Sequence, residues 1–117
     1  MKAVNNLKLI VVNDFSSTPG PRYEHEGNFS GEIFRNSYLE PKLKEAIDKE
    51  TKLFIDLDGT AGYGTSFLEE SFGGLIRENG YTKQDILEHI ELKSEEEEYL
   101  IDDIKEYLKE AQNEKNK

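Results

Sequence analysis

The 117-residue chain contains no cysteine, two histidines and three prolines. Without cysteine there is no disulfide, no thiolate metal ligand and no cysteine nucleophile. That composition is compatible with a reducing compartment, and a cytoplasmic protein is expected. No apolar run approaches the roughly 18 residues that a membrane-spanning helix requires. Met1–Asn6 lacks the apolar core of a secretory leader. Positive charge is scarce: 15 Lys and Arg against 25 Asp and Glu leave a formal net charge of -10. Such a surface repels phosphate backbones, and no stripe of Lys and Arg offers a local exception, so neither nucleic acid nor membrane is an expected partner. His25 and His89 are isolated from each other and from further ligand types, so no metal and no cofactor is expected.

Apolar residues make up 35% of the chain, and they are clustered and periodic, which separates this sequence from a disordered acidic one. The length fits one domain, expected over residues 1–111, with Gln112–Lys117 as a frayed tail. Leu7–Val12 reads as a strand. Asp14–Gly31 reads as a long loop, with a short strand around Arg22–His25. Loops of that length are often functional. Ser30 is placed to cap a helix starting near Gly31, and Pro41 predicts a break, with a second helix running to about Lys49. Leu53–Leu57 is a nearly continuous apolar run, which suits a strand covered on both faces. The glycine-rich connection Asp58–Gly64 follows. Ser66 and Glu69 have capping-box spacing, and Leu68, Phe72, Leu75 and Ile76 mark one face of the helix they open. Gly73 and Gly74 inside that helix suggest close approach to the sheet. Thr82–Leu87 reads as a helical turn and His89–Lys93 as a strand. Ser94 and Glu97 repeat the capping-box spacing before a last helix that buries Leu100, Ile101, Ile104, Leu108 and Ala111. Strands alternating with helices predict an α/β domain: a small sheet flanked by helices.

Phe54-Ile55-Asp56-Leu57-Asp58-Gly59-Thr60 resembles the first motif of haloacid-dehalogenase phosphatases, an apolar strand running into Asp-x-Asp-Gly-Thr. That resemblance would make Asp56 a nucleophile on phosphorus and Asp58 a general acid, with Mg²⁺ offsetting the phosphate charge. That family places the motif near the start of a longer α/β domain, with a Lys and an acidic metal-binding pair on later strands, and only 57 residues follow Thr60 here. Asp102 and Asp103, the one later acidic pair, fall in a helical pattern. Asp58 and Gly59 are therefore read first as a polar turn after a buried strand.

A second resemblance spans nearly the whole chain. Asp14-Phe15-Ser16, Gly20–Tyr23, Phe29-Ser30-Gly31-Glu32-Ile33-Phe34-Arg35, Leu39-Glu40-Pro41 and above all Gly62-Tyr63-Gly64-Thr65-Ser66-Phe67-Leu68-Glu69-Glu70-Ser71-Phe72-Gly73 resemble the STAS-like domains of bacterial and phage proteins. STAS stands for sulphate transporter and anti-sigma factor antagonist. The resemblance implies a small STAS-like sheet flanked by helices and no catalytic activity of its own. In the antagonists a hydroxyl just after a central strand, at a helix N-terminus, is phosphorylated by a GHKL-type kinase that binds there, and partner choice switches. Members of the STAS-like family are often fused to, or encoded beside, ATPase domains of that type. Carried over, the acceptor stretch falls on Gly64-Thr65-Ser66-Phe67. Ser66 and Thr65 are the candidate phosphoacceptors. Gly64 stands where the antagonists have Asp, and Phe67 where they have Gly.

Ser66 has two readings at this stage: a helix cap, or a regulatory phosphosite at a helix end suited to phosphate. Arg22, Tyr23, His25, Ser30, Gly62, Tyr63 and Gly64 are the expected partner- or ligand-binding residues. Arg35 is expected to pair with a carboxylate on its own helix or with the chain end after the central strand. The sequence reading is a non-catalytic interaction or switch module partnering a GHKL-type ATPase or kinase. The alternatives are a small-ligand sensor using the same turn and a Mg²⁺-dependent phosphohydrolase using Asp56 and Asp58.

Overall fold

Three short apolar runs pair first in the logic of the structure. The computed structural model describes residues 7–117. Strands β1 (Leu7–Ile10), β2 (Leu53–Asp56) and β3 (Ile90–Lys93) form one parallel sheet in the order β1-β2-β3. Leu7, Leu53 and Ile90 sit abreast at one end, and Ile10, Asp56 and Lys93 at the other. Parallel neighbours need crossover connections, and helices supply them. The first crossover holds α1 (Val11–Asp14), a 3₁₀ turn (Glu24–Glu26), α2 (Gly31–Phe34), a π-turn (Arg35–Leu39) and α3 (Glu40–Asp48). The second holds α4 (Thr65–Leu68), a π-turn (Glu69–Gly73), α5 (Gly74–Arg77) and α6 (Lys83–His89). Helix α7 (Tyr99–Lys115) follows β3.

Side-chain alternation along the strands decides where the core lies. Leu9, Leu53 and Ile55 are fully buried against Phe34, Leu43, Phe67, Phe72, Leu75 and Ile104. Phe54 and Asp56 point the other way and stay half-exposed. The run Leu53–Leu57 thus belongs to a strand covered on one face, not two, and the fold is a two-layer α/β arrangement. Apolar neighbours such as Leu57, buried just past the strand end, make the run look continuous.

Local chemistry explains the other departures. Strand β1 stops at Ile10 instead of Val12, because the Asp14 carboxylate accepts a hydrogen bond from the Ile10 N–H at 2.7 Å and closes a helical turn. Around Arg22–His25 the chain forms a turn rather than a strand: Glu26 Oε1 accepts from the Tyr23 N–H at 3.0 Å. Ser30 Oγ does cap its helix, accepting from the Ile33 N–H at 3.1 Å. Pro41 causes no break. Residues 31–48 stay helical, and the π-turn just before the proline, with the Glu40 N–H bonded to Arg35 O, widens the spiral where the ring needs room. The chain does not fray after Ala111. Helix α7 continues to Lys115, held by Lys115 Nζ on the Ile76 carbonyl (3.1 Å) and by Gln112 Oε1 on the Lys83 N–H (2.8 Å). Ile101 is only half-buried, unlike Leu100, Ile104, Leu108 and Ala111.

The two long helices, 31–48 and 65–77, meet through a buried ion pair. Arg35 Nη1 donates to Glu70 Oε2 at 2.5 Å and to the Glu70 carbonyl at 2.8 Å, with both side chains less than a tenth exposed. The partner of Arg35 is thus on the facing helix, not on its own. Gly74 leaves the space that the Arg35 guanidinium fills, so the glycine serves helix–helix contact instead of contact with the sheet. Gly31 is equally confined: a Cβ there would lie 2.5 Å from the Phe67 carbonyl oxygen.

Removing one member of a buried pair strands the other. Glu70→Leu is expected to lower stability by about 3–5 kcal/mol in urea unfolding, and Arg35→Met combined with Glu70→Leu to recover most of the loss. A double variant as unstable as the single one would show that the pair acts through something other than charge compensation.

Candidate functional site

The connection after β2 is built by backbone constraints. Asp56 Oδ1 accepts from the Asp58 N–H at 2.9 Å, which bends the chain immediately past the strand. Gly59 and Gly62 carry φ values of 92° and 135°, which only glycine adopts without strain. The Tyr63 hydroxyl donates to the Leu57 carbonyl at 2.8 Å and straps the loop back onto the strand end. Burial pushes the Tyr63 phenol well above its ordinary pKa, so it stays neutral. Gly64 is extended and holds the cap position, and the helix starts at Thr65.

That start overturns the capping role of Ser66. The residue sits inside the first turn, where its hydroxyl caps nothing, and Glu69 is drawn away by arginines instead of reaching back. Thr65 and Ser66 are both exposed, and among the described residues neither hydroxyl makes a hydrogen bond. Their neighbour Phe67 is fully buried among Phe15, Phe34 and Tyr63. Phe67 is therefore a core residue.

The Arg22 loop lies against this helix start. Its backbone is pinned to helix 31–48: Pro21 O accepts from the Gly31 N–H at 2.8 Å and Arg22 O from the Glu32 N–H at 3.0 Å. Arg22 Nη1 donates to Glu69 Oε1 at 2.6 Å and approaches Glu70 Oε1 at 3.4 Å. Arg77 pairs with the same two carboxylates. Burial pushes Glu69 upward, but hydrogen bonds from Arg77 and Arg22 outweigh it and hold the carboxyl below its ordinary pKa. The Arg22 guanidinium lies 5.9 Å from the Tyr23 ring centre, and His25 stacks on the Tyr23 ring at 5.7 Å. Pro21, Arg22, Tyr23, Glu26 and Ser66 line a shallow concavity of about 280 Å³.

The structure thus brings Arg22, Tyr23 and Ser66 together, with His25 at the margin. Ser30 is fully buried and spent on its cap, and the Tyr63 hydroxyl is spent on Leu57. Glu69, Glu70 and Arg77, which position Arg22, are missed by the sequence reading. Their signal, two adjacent acids one helical turn after paired hydroxyls with a basic residue at the helix end, is too common on helices to single out.

Asp56 and Asp58 are met by a lysine that the sequence reading does not place there. Lys93, at the end of β3, lies 2.8 Å from Asp58 and 3.6 Å from Asp56. Asp58 is nonetheless fully engaged: it accepts from the Glu96 and Glu95 N–H groups at 2.9 Å and from Lys93. The Glu96 N–H bond, then Lys93, hold its pKa at about 2, so it carries no proton to donate at neutral pH. Its evident role is to tie the end of β2 to the approach of α7. Ser94 correspondingly does not open α7; its Oγ donates to the Glu97 carbonyl at 2.7 Å, and the helix waits until Tyr99. Among the described residues no group of three or more His, Cys, Asp or Glu side chains is arranged to hold a metal ion, and no helix is long and apolar enough to cross a membrane.

One family model matches the chain, described as a STAS-like domain of unknown function (DUF4325), over residues 30–100. No curated protein and no solved structure matches it. The matched stretch contains β2, β3, the Arg35–Glu70 pair and the Thr65–Ser66 turn, and begins after Arg22 and Tyr23.

The Asp58 geometry has a testable sign. A carboxyl lowered on folding from its ordinary 3.8 to about 2 adds stability that is present above pH 3.8 and lost as pH falls through 2. Asp58→Asn is expected to be less stable than the parent at neutral pH, with the gap in urea midpoint closing over that acid window. A gap that does not change with pH would remove the charge-based account of this turn.

Proposed function

This chain belongs to the family of STAS-like domains of unknown function, and from that premise we propose that it is a protein-interaction and switch module acting through the start of helix 65–77 and the Arg22 loop. One observation carries the reading: Thr65 and Ser66 are exposed hydroxyls, free of any capping duty, on the first turn of the helix after the central strand, and Ser66 shares its concavity with Arg22. The unpaired backbone N–H groups of a helix start favour a phosphate there. A phosphoryl group on Ser66 adds roughly -1.5 to -2 of charge and competes with Glu69 for Arg22. That competition loosens the loop from the helix and changes the surface offered to a partner. The partner in this reading is a GHKL-type ATPase or kinase, by analogy with the antagonists, and the domain itself is non-catalytic. The backbone N–H bonds that Asp58 accepts, and the lack among the described residues of an acidic cluster to hold a metal ion, count against a phosphohydrolase.

The purified chain, incubated with host lysate, ATP and Mg²⁺, is expected to retain such an ATPase and to carry phosphate on Ser66 or Thr65, mapped by mass spectrometry. Ser66→Ala should change stability by less than about 0.5 kcal/mol, because the side chain is exposed and unbonded. A complex that survives both Ser66→Ala and Thr65→Ala, with no phosphate on either residue, would leave a binding module without a switch. No partner and no phosphate, with Ser66→Ala fully folded, would overturn the reading and favour a small-ligand sensor.

A further inference from the structure

Strand β3 is an edge of the sheet, and its outward side carries unspent backbone hydrogen bonds. The Lys93 carbonyl accepts from the Leu57 N–H at 2.8 Å, so the backbone groups of Lys93 face β2. Backbone direction alternates along a strand, so the N–H and C=O of Leu92 face away from β2. Among the described residues no hydrogen bond outside the sheet ladder reaches Leu92. Hollows lie on both sides of the edge, and Leu92 and Ile101 line both.

The two hollows differ in chemistry. The one on the helix side, about 310 Å³, is lined by Phe72, Ile86, Leu87, Ile90 and Ile104, with Lys105 as its one charged residue. Leu87 remains 37% exposed there. The hollow on the open side, about 700 Å³, has Phe54 and Tyr99 in its wall and carries four carboxylates, those of Glu91, Glu95, Glu98 and Asp102. Its cation Lys93 is already committed to Asp58 and Asp56. An added strand would send alternate side chains to these two sides.

We propose that the β3 edge is a docking site for an extended peptide segment that alternates apolar and basic residues, added to the sheet as a fourth strand. Backbone hydrogen bonds to Leu92 supply part of the affinity, and the unlike hollows set the side-chain pattern. Charge complementarity selects the occupant: a second copy of this chain would bring Glu91 along with Lys93 of its own β3 into a hollow that already holds four carboxylates, whereas a segment with only lysine or arginine on that side is matched there. The surface shares no residue with the Thr65–Ser66 site and stands whether or not that site is a switch.

The test titrates the full chain with a short fluorescent peptide alternating lysine with valine or isoleucine. Controls are a peptide of the same composition with its lysines grouped in one block, and the alternating peptide N-methylated at every second amide. Expected are saturable binding to the alternating peptide, a loss of about tenfold or more on N-methylation, and slowed hydrogen exchange at the Leu92 amide in the complex. Glu91→Lys combined with Glu98→Lys, both exposed positions, should keep the parent melting temperature and weaken binding, and added salt should weaken it in the parent. No saturable binding, equal binding of the N-methylated or block peptide, or protection confined to amides away from β3 would overturn the proposal. So would peptide-free dimerisation in sedimentation that itself protects Leu92, since it would assign the edge to a second copy.

Discussion

Arg35 and Glu70 are brought together from the two successive crossovers of the sheet, and each would be an uncompensated charge in the core without the other. That requirement fixes how helices 31–48 and 65–77 face each other. Both widen into a π-turn where the pair sits, over Arg35–Leu39 and Glu69–Gly73. Gly74 yields its side-chain space to the guanidinium, and Gly31 lets the backbone of the second helix approach. A buried pair is a weak source of net stability but a strong source of geometric discrimination, because few arrangements satisfy both charges. Here the discrimination has a functional reach. The same helix that presents Glu70 inward presents Thr65 and Ser66 outward, and Glu69 beside it anchors Arg22.

Much of this was legible in the residues, and the rest was hidden for definable reasons. The three strands, the Ser30 cap, the buried face Leu68, Phe72, Leu75 and Ile76, and the α/β class follow from periodicity and capping chemistry. The resemblance to STAS-like domains pointed to the matched family, and the family match agrees. Arg35 could not be assigned its partner because a residue 35 positions away in sequence becomes adjacent only through packing. Pro41 misleads because the proline rule describes an α-spiral, and a π-turn relaxes it. Ser66 misleads because capping boxes are identified by spacing alone. The true start, two residues earlier, is set by Gly64 and by arginines that claim Glu69. Ile101 satisfies the helical period, but it faces a hollow beside β3 and stays half-buried.

The proposed surface around Ser66 was partly legible too. Arg22 and Tyr23 stand on a loop chosen for its length, and the fold places them beside the hydroxyl. Ser30 stood in the same list because a Ser after a loop is equally suited to capping and to contact, and only burial decides. Lys93 beside Asp56 and Asp58 shows the reverse case: a motif that looks catalytic acquires its neighbour from a distant strand end, and the neighbour helps lock the turn.

The all-parallel sheet also sets when the chain can fold. No two of its strands can be joined by a hairpin, so every ladder waits for a crossover to be synthesised. During translation β1 and β2 can pair early, but the β2 edge that receives β3 stays open until Lys93 has left the ribosome. Arg35 likewise remains hydrated until Glu70 follows it out, so the core cannot close around half of the pair. The sheet of this domain can therefore close only after β3 has emerged, which makes its completion a late step in the folding of the domain.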